Sequence, residues 1–321
     1  MHASRFSHRG FCFCCVAPET SGAGGGPMLT PAQAYAKARG IVNAMRDYAA
    51  SSPVSLHTVR GRLTVLEGSG GNMLASFGDD GMFLVDAGIA VSEAKIRESL
   101  TTLGSPEVAA VVNTHWHFDH ADGNDWLGRE GAKIIAHEMT LKHLSTAQRV
   151  EDWNFDFSPS SIPALPSVVV ADTHELDING DRVSLRFYGN AHTDGDLSVF
   201  FQNSNVLHTG DTFWNGIYPF IDRSTGGSID GMIEAARWNV DICDADTLVV
   251  SGHAKPVGNR DELKVYLEML VAIRASISAS KSKGMSLGEV QAQRPTSAFD
   301  AVWGQFVITP DFFTKLVYES L

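Results

Sequence analysis

The chain has 321 residues, 44% of them hydrophobic, with 37 acidic against 25 basic side chains and a formal charge of −12. That length can bury a substantial core, and the acidic balance leaves no basic footprint for DNA or RNA. No apolar run reaches the roughly eighteen residues that a membrane span needs. A small-molecule substrate, no nucleic acid and no membrane are therefore expected; the oligomeric state and the compartment are not legible in the sequence.

Residues 1–27 read as a flexible N-terminal tail. They hold Cys12, Cys14 and Cys15, end in the Gly-rich stretch from Ser21 to Gly26, and make Met28 an alternative start. With Cys243 the one cysteine in the body of the chain, no disulfide framework is expected. The apolar run Phe11 to Ala17 is at the short limit for a secretory signal, so none is assigned and export stays open.

Residues 28–54 form an N-terminal helical segment: Thr30 is an N-cap, Pro31 suits the first helical position, and the Ala-rich stretch runs to about Ala50. Short alternating runs then predict an antiparallel meander: Leu63 to Leu66, Asn72 to Phe77 and Met82 to Val85, with Gly78 to Gly81 as a hairpin turn and Asp86-Ala87-Gly88 closing the last strand. Ser92 opens a helix to about Leu103, and the apolar run Val108 to Val112 is a buried strand. Lys133 to Ala136 is another. A second meander is predicted from Ser167 to Val170, Val183 to Tyr188, Leu197 to Phe201 and Val206 to His208, with Asn179-Gly180 as a tight turn. Ser228 starts a helix to about Val240, and Thr247 to Val250 is a buried strand ending at Gly252-His253. The remainder is helical, with Asn259/Glu262 and Ser286/Glu289 as capping pairs and Thr309-Pro310 opening the last helix.

The strand at Val108 delivers Thr114-His115-Trp116-His117-Phe118-Asp119-His120 to a sheet edge. His115 and His117 differ by two, so in an extended conformation both imidazoles project to one side, and Asp119 and His120 follow as the chain turns into a helix. Two ligand pairs can thus face two metals. Three further segments meet a loop at a strand end: Gly189 to Asp196 with His192, Leu207 to Asp211 with Asp211, and Val250 to His253 with His253.

Taken together, these motifs resemble the metallo-β-lactamase superfamily over roughly residues 55–256. The resemblance implies a four-layer αβ/βα sandwich with C-terminal helices, residues 257–321 forming a helical extension packed on that domain, and a dinuclear site at one edge of the two sheets. It implies His115, His117 and His192 on one zinc, Asp119, His120 and His253 on the other, and Asp211 bridging. Two Zn²⁺ with two carboxylates and a hydroxide leave a net charge of about +1, and zinc lowers water's pKa towards ~7. The expected function is a zinc-dependent hydrolase, two zincs per chain, attacking an ester, thioester, lactone or lactam carbonyl with hydroxide, Asp119 and Asp211 being catalytic. Iron or manganese are alternative metals. Alternative activities are a mononuclear iron sulfur dioxygenase of the same fold and a β-lactamase. The carboxylate at Asp211 argues against a dedicated β-lactamase, because within the resembled family those enzymes generally lack one at that position, whereas glyoxalase II-like thioesterases and lactonases carry it. A binding protein with vestigial metal ligation is the competing class, and the complete ligand set speaks against it.

Other residues carry weaker readings. Tyr218 is a candidate donor to a tetrahedral oxyanion, a buried tyrosine bonded to backbone being the favoured alternative; Lys255 is a candidate to hold a substrate carboxylate, a solvated surface lysine being the favoured alternative. Trp116 and Phe118 alternate with the ligands and are assigned to packing, and His208 to structure. Asp194 and Asp196 are candidates to bond the second nitrogen of His192, or to form the turn. Cys243 reads as a small buried residue, and Asp222 belongs to no ligand motif.

Overall fold

The computed structural model describes residues 29–321, so the expected tail and its three cysteines lie outside the described residues. Thr30 starts a helix through a capping box: its hydroxyl accepts from the Gln33 amide while the Gln33 side chain accepts from the Thr30 amide. The expected single helix is broken. Gly40, at φ +78°, divides the segment into α1 (Pro31–Arg39) and α2 (Ile41–Ser51), a backbone angle that costs glycine little. Gln33 is buried and donates to the carbonyls of Gly304 and Phe306, which ties the first helix to the last part of the chain.

The first sheet begins as the expected meander: β1 (Ser55–Arg60), β2 (Leu63–Glu67), β3 (Met73–Gly78) and β4 (Gly81–Val85), all antiparallel. The chain continues through α3 (Glu93–Leu103), β5 (Val108–Val112), α4 (Phe118–Ala121), α5 (Asn124–Arg129), β6 (Lys133–His137) and α6 (Glu138–Ser145). A hairpin of β7 (Gln148–Val150) and β8 (Phe155–Phe157), not anticipated from the sequence, precedes β9 (Val168–Val170). The sequence placed this last strand in the second meander. It instead pairs parallel to β6 and completes a seven-stranded sheet of order β1-β2-β3-β4-β5-β6-β9.

The second sheet contains β10 (Thr173–Ile178), β11 (Asp181–Phe187), β12 (Leu197–Phe201) and β13 (Val206–His208). After β14 (Trp214–Asn215) and α7 (Ile229–Ile242) come β15 (Leu248–Val250), β16 (His253–Ala254) and β17 (Val257–Asn259). The order is β10-β11-β12-β13-β15-β17, antiparallel except for β13 with β15. The chain ends in α8 (Arg260–Lys281), α9 (Leu287–Ala292), α10 (Asp300–Trp303) and α11 (Pro310–Ser320), with the Ser286/Glu289 capping box formed.

Strand alternation sends one set of side chains between the sheets. Val65, Leu74, Phe83, Val85 and Val112 face Val183, Leu185, Val199, Phe201 and Val250, and Phe83 meets Phe201 edge-on at 6.1 Å. On the outer face of the first sheet, Ile96, Leu100 and Leu127 of α3 and α5 cover Leu66, Met82 and Leu84. On the second, Met232, Ala236, Leu263 and Met269 of α7 and α8 cover Leu207 and Val249. Helices, sheet, sheet, helices: this is the four-layer αβ/βα sandwich that the sequence led us to expect, closed by C-terminal helices.

Candidate metal centre

The site forms where β5 stops. Asp86, just past β4, adopts φ +64°, a left-handed conformation that aspartate tolerates better than most residues. Its amide donates to the Val112 carbonyl at 2.7 Å, and its Oδ1 accepts from the Thr114 amide at 2.7 Å. Asp86 Oδ2 accepts from the Thr114 hydroxyl at 2.9 Å and from His120 Nδ1 at 2.7 Å. One carboxylate therefore fixes the strand end and one of the imidazoles beyond it. Asp211 sits in the 3₁₀ turn Gly210–Thr212 after β13, steadied by Thr212, whose hydroxyl donates to Thr209 and accepts from Asn239. His253 enters on β16, which pairs parallel with β14.

Seven side chains meet here, all buried: His115, His117, Asp119, His120, His192, Asp211 and His253. His117 Nδ1 is 3.1 Å from His115 Nε2 and 2.9 Å from His192 Nε2. His253 Nε2 is 3.1 Å from Asp119 Oδ2 and 3.4 Å from His120 Nε2. Asp211 lies between the two groups, with Oδ2 3.5 Å from His192 Nε2 and 3.3 Å from His253 Nε2. Its Oδ1 is 3.2 Å from His120 Nε2 and yet, although buried, has no hydrogen-bond partner. Three overlapping sets have ligand atoms within 4.8 Å of one another: His115/His117/His192, His115/His120/Asp211 and Asp119/His120/His253. Buried donor atoms at such separations, with a carboxylate oxygen unsatisfied among them, fit a cation better than they fit one another. Glycines make the cradle: a Cβ at Gly252 would stand 2.0 Å from Asp211 Oδ1, and one at Gly71 would stand 2.2 Å from the His120 ring.

Burial pushes His115 well below its ordinary pKa, and the neighbouring charge of His120 adds to the effect. Burial opposes a charge on His120 and His253 too, but Asp211 and Asp119 outweigh it, aided at His120 by Asp86, and hold His120 well above its ordinary range and His253 at about 9. Asp211 is held well below the usual carboxylate range by His253, His120 and His192 despite its burial.

Outward nitrogens of four of these histidines are engaged. His120 reaches Asp86, as above. His192 Nδ1 donates to the Phe220 carbonyl at 2.8 Å, and His115 Nδ1 lies 3.1 Å from the Thr114 hydroxyl. His117 Nε2 lies 3.0 Å from Asp222 Oδ2, which also accepts from the Thr225 hydroxyl at 2.6 Å. Burial would raise the Asp222 carboxyl, but His117 and Thr225 bring it down to about 2. Such partners fix which ring nitrogen carries the proton. The two carboxylates, Asp86 and Asp222, were not singled out from the sequence. The only available signal is general: a metal-binding imidazole calls for an acceptor on its other nitrogen, without saying which acid supplies it. Asp222→Asn is expected to weaken metal binding 10- to 100-fold with little change in far-UV circular dichroism, as measured by chelator competition; an unchanged affinity would remove Asp222 from the site.

The weaker readings divide: Tyr218, Lys255, Asp194 and Asp196 depart from their functional reading, whereas Trp116, Phe118, His208 and Cys243 stand as expected. Tyr218 is fully buried, stacks on Phe313 at 4.6 Å, and its hydroxyl is within hydrogen-bonding distance of the Thr296 carbonyl and Asp300 Oδ1. It is a packing residue and not an oxyanion donor. Lys255 pairs with Glu262 on the exposed surface, so its ammonium is engaged within the protein. Asp194 bonds His143 Nε2 at 2.7 Å, and Asp196 caps the Thr193 amide and hydroxyl, so neither serves His192. Trp116 and Phe118 are buried in packing positions, and His208 bridges the Asn72 carbonyl and the Gly210 amide. Cys243 is buried, which pushes its thiol up to about 11.

Comparison with known proteins gives the relationship. A Methanocaldococcus jannaschii protein named Probable metallo-hydrolase MJ0888 is 27% identical over 139 residues, 41% of this chain and 62% of that protein. The stereoselective inverting sec-alkylsulfatase Pisa1 from Pseudomonas sp. superposes with a TM-score of 0.61 at 15% identity, over 86% of this chain and 52% of its own. A metallo-beta-lactamase from Pontibacter korlensis gives 0.55 at 19% identity, over 68% of this chain and 98% of its own. The chain thus spans about half of the alkylsulfatase and less than two thirds of the archaeal relative. These structural likenesses share the fold. The family model of the metallo-beta-lactamase superfamily matches residues 68–267, which take in every candidate ligand segment and all strands after β2, and the chain belongs to that superfamily.

Proposed function

We propose that this protein is a hydrolase that uses two divalent cations, with zinc the first candidate, to cleave an ester, thioester, lactone or lactam. Asp211 carries the reading: it offers one oxygen towards His120 and the other towards His192 and His253, so this one carboxylate would serve both ions. His115, His117 and His192 would hold one ion, and Asp119, His120 and His253 the other. Bound there, the cations supply Lewis acidity and hydroxide at neutral pH.

The chain's own residues do the remaining work. Burial of all seven ligands excludes bulk water and strengthens each electrostatic contact. Asp119 Oδ2, 3.1 Å from His253 Nε2 and 3.5 Å from His120 Nε2, is placed to orient the attacking water and to hold its proton. The water oxygen forms the new bond to the acyl carbon, the acyl–oxygen, acyl–sulfur or acyl–nitrogen bond breaks, and the leaving group takes up a proton. Elemental analysis of protein purified with zinc is expected to find close to two ions per chain, with turnover on a panel of esters, thioesters, lactones and β-lactams. One ion and no hydrolysis would sink the proposal and direct attention to the mononuclear iron dioxygenase alternative.

A further inference from the structure

Two tryptophans stand beside the ligand cluster. Trp153, in the turn between β7 and β8, lies 4.7 Å from the His117 ring and stacks on Phe220 at 4.7 Å and 29°. It is half-buried, whereas His117 is fully buried, so it forms part of the wall between solvent and that ligand. Trp214 lies 4.3 Å from the His253 ring. Phe118 and Phe157 meet Trp153 edge-on, and Phe312 flanks Phe220, extending an apolar wall. The Nε1 atoms of both indoles are buried without a hydrogen-bond partner. An indole N–H can only donate, and a buried donor without an acceptor is costly.

The cations framing this wall are already neutralised. Arg46 of α2 lies near Asp122 and over the Phe118 and Phe155 rings. Arg149 of the hairpin pairs with Glu151 and Asp156; Arg223, beside Asp222, pairs with Asp152 and Glu319. Lys315 of α11 pairs with Asp152, and Lys255 with Glu262. These segments and the ligand loops contain no other lysine or arginine. Among the described residues each of these cations already faces a carboxylate, so a substrate carrying a carboxylate, phosphate or sulfate away from its reacting carbonyl would compete with those acids for it beside aromatic faces.

We propose, resting on the hydrolase reading above, that the substrate is an uncharged ester, thioester or lactone with an aromatic or bulky apolar acyl group seated against Trp153. The binding energy then comes from apolar burial and ring stacking, worth about 0.5 to 1.5 kcal/mol beyond area for an aromatic pair.

The test compares matched substrates on the zinc-loaded full chain: neutral phenylacetyl esters and thioesters, the same compounds with a carboxylate on the ring, and the corresponding acetyl compounds. The neutral aromatic members are expected to have kcat/KM at least about tenfold above the carboxylated ones. Trp153→Ala is expected to raise KM for the phenylacetyl ester about tenfold more than for the acetyl ester, with Trp153→Phe restoring most of the difference and zinc content unchanged. Quenching of tryptophan fluorescence by benzyl methyl ketone, a neutral analogue that cannot be hydrolysed, reads recognition apart from turnover. Saturable quenching, weakened in Trp153→Ala, with no hydrolysis of any compound would support this recognition mode and overturn the hydrolase reading. Equal or faster turnover of the carboxylated esters, or a KM ratio indifferent to residue 153, would overturn the present proposal and leave the hydrolase reading standing.

Discussion

Asp211→Ala is expected to cut kcat/KM by at least about 100-fold and to lower the metal content below two ions per chain, while the far-UV circular dichroism stays parental. Among the described residues Asp211 offers its two oxygens to both candidate ligand groups, so under the proposed two-ion reading its loss would remove a negative charge from between the cations and an anchor from each. Changing groups that only support a ligand typically costs 10- to 100-fold, and a residue in direct contact should cost no less. The fold should survive because β13 is held by pairing with β12 and β15 and by Val206 and Leu207 in the cores, none of which involves the carboxylate. Asp222, which the sequence alone would have offered as a neutral neighbour, is unsuitable as a control because it bonds His117. Asp241, exposed near the end of α7, is the better comparison. Retention of two zincs and near-parental turnover by Asp211→Ala would end the two-ion reading.

The contrast between Asp211 and Asp222 shows what the sequence made legible. Residues destined for the centre follow short, strongly apolar strands, and their type and spacing were enough to single them out: His115 and His117 are two apart because both leave one strand end. The meander was legible for a similar reason, since each strand and its turn lie next to each other in the chain. Contacts across the fold were not. His120 finds Asp86 34 residues away, and His117 finds Asp222 105 residues away, so neither pairing leaves a local pattern. Val168–Val170 illustrates the same limit for topology: an apolar triplet declares a buried strand but not which of two sheets will accept it. The oxyanion role expected for Tyr218 failed because proximity to Asp211 in sequence said nothing of Thr296 and Asp300, which approach from the C-terminal region.

Asp86→Asn should separate the shape of this residue from its charge. Asparagine occupies the left-handed region as readily as aspartate, so φ +64° can be kept and little backbone cost is expected. The hydrogen bonds cannot all be kept. Three donors converge on the native carboxylate: the Thr114 amide, the Thr114 hydroxyl and His120 Nδ1. The amide of asparagine supplies one oxygen and turns an NH₂ group towards the others. With its oxygen on the Thr114 amide, the NH₂ faces His120, which can accept only by moving its proton from Nδ1 to Nε2. That is the nitrogen 3.2 Å from Asp211 Oδ1, and once protonated it has no lone pair for a cation. The change reaches His115 as well, because the hydroxyl of Thr114 links Asp86 to His115 Nδ1. Metal affinity by chelator competition is therefore expected to fall 10- to 100-fold, the usual range for such partners, with kcat/KM falling alongside. Asp86→Ala, which leaves buried donors without any acceptor at about 1 to 3 kcal/mol each, should also lower the melting temperature, whereas the asparagine variant should lose far less stability. If Asp86→Asn binds both ions at parental affinity, the tautomer of His120 is set by something other than Asp86, and the carboxylate serves the backbone of Thr114 alone.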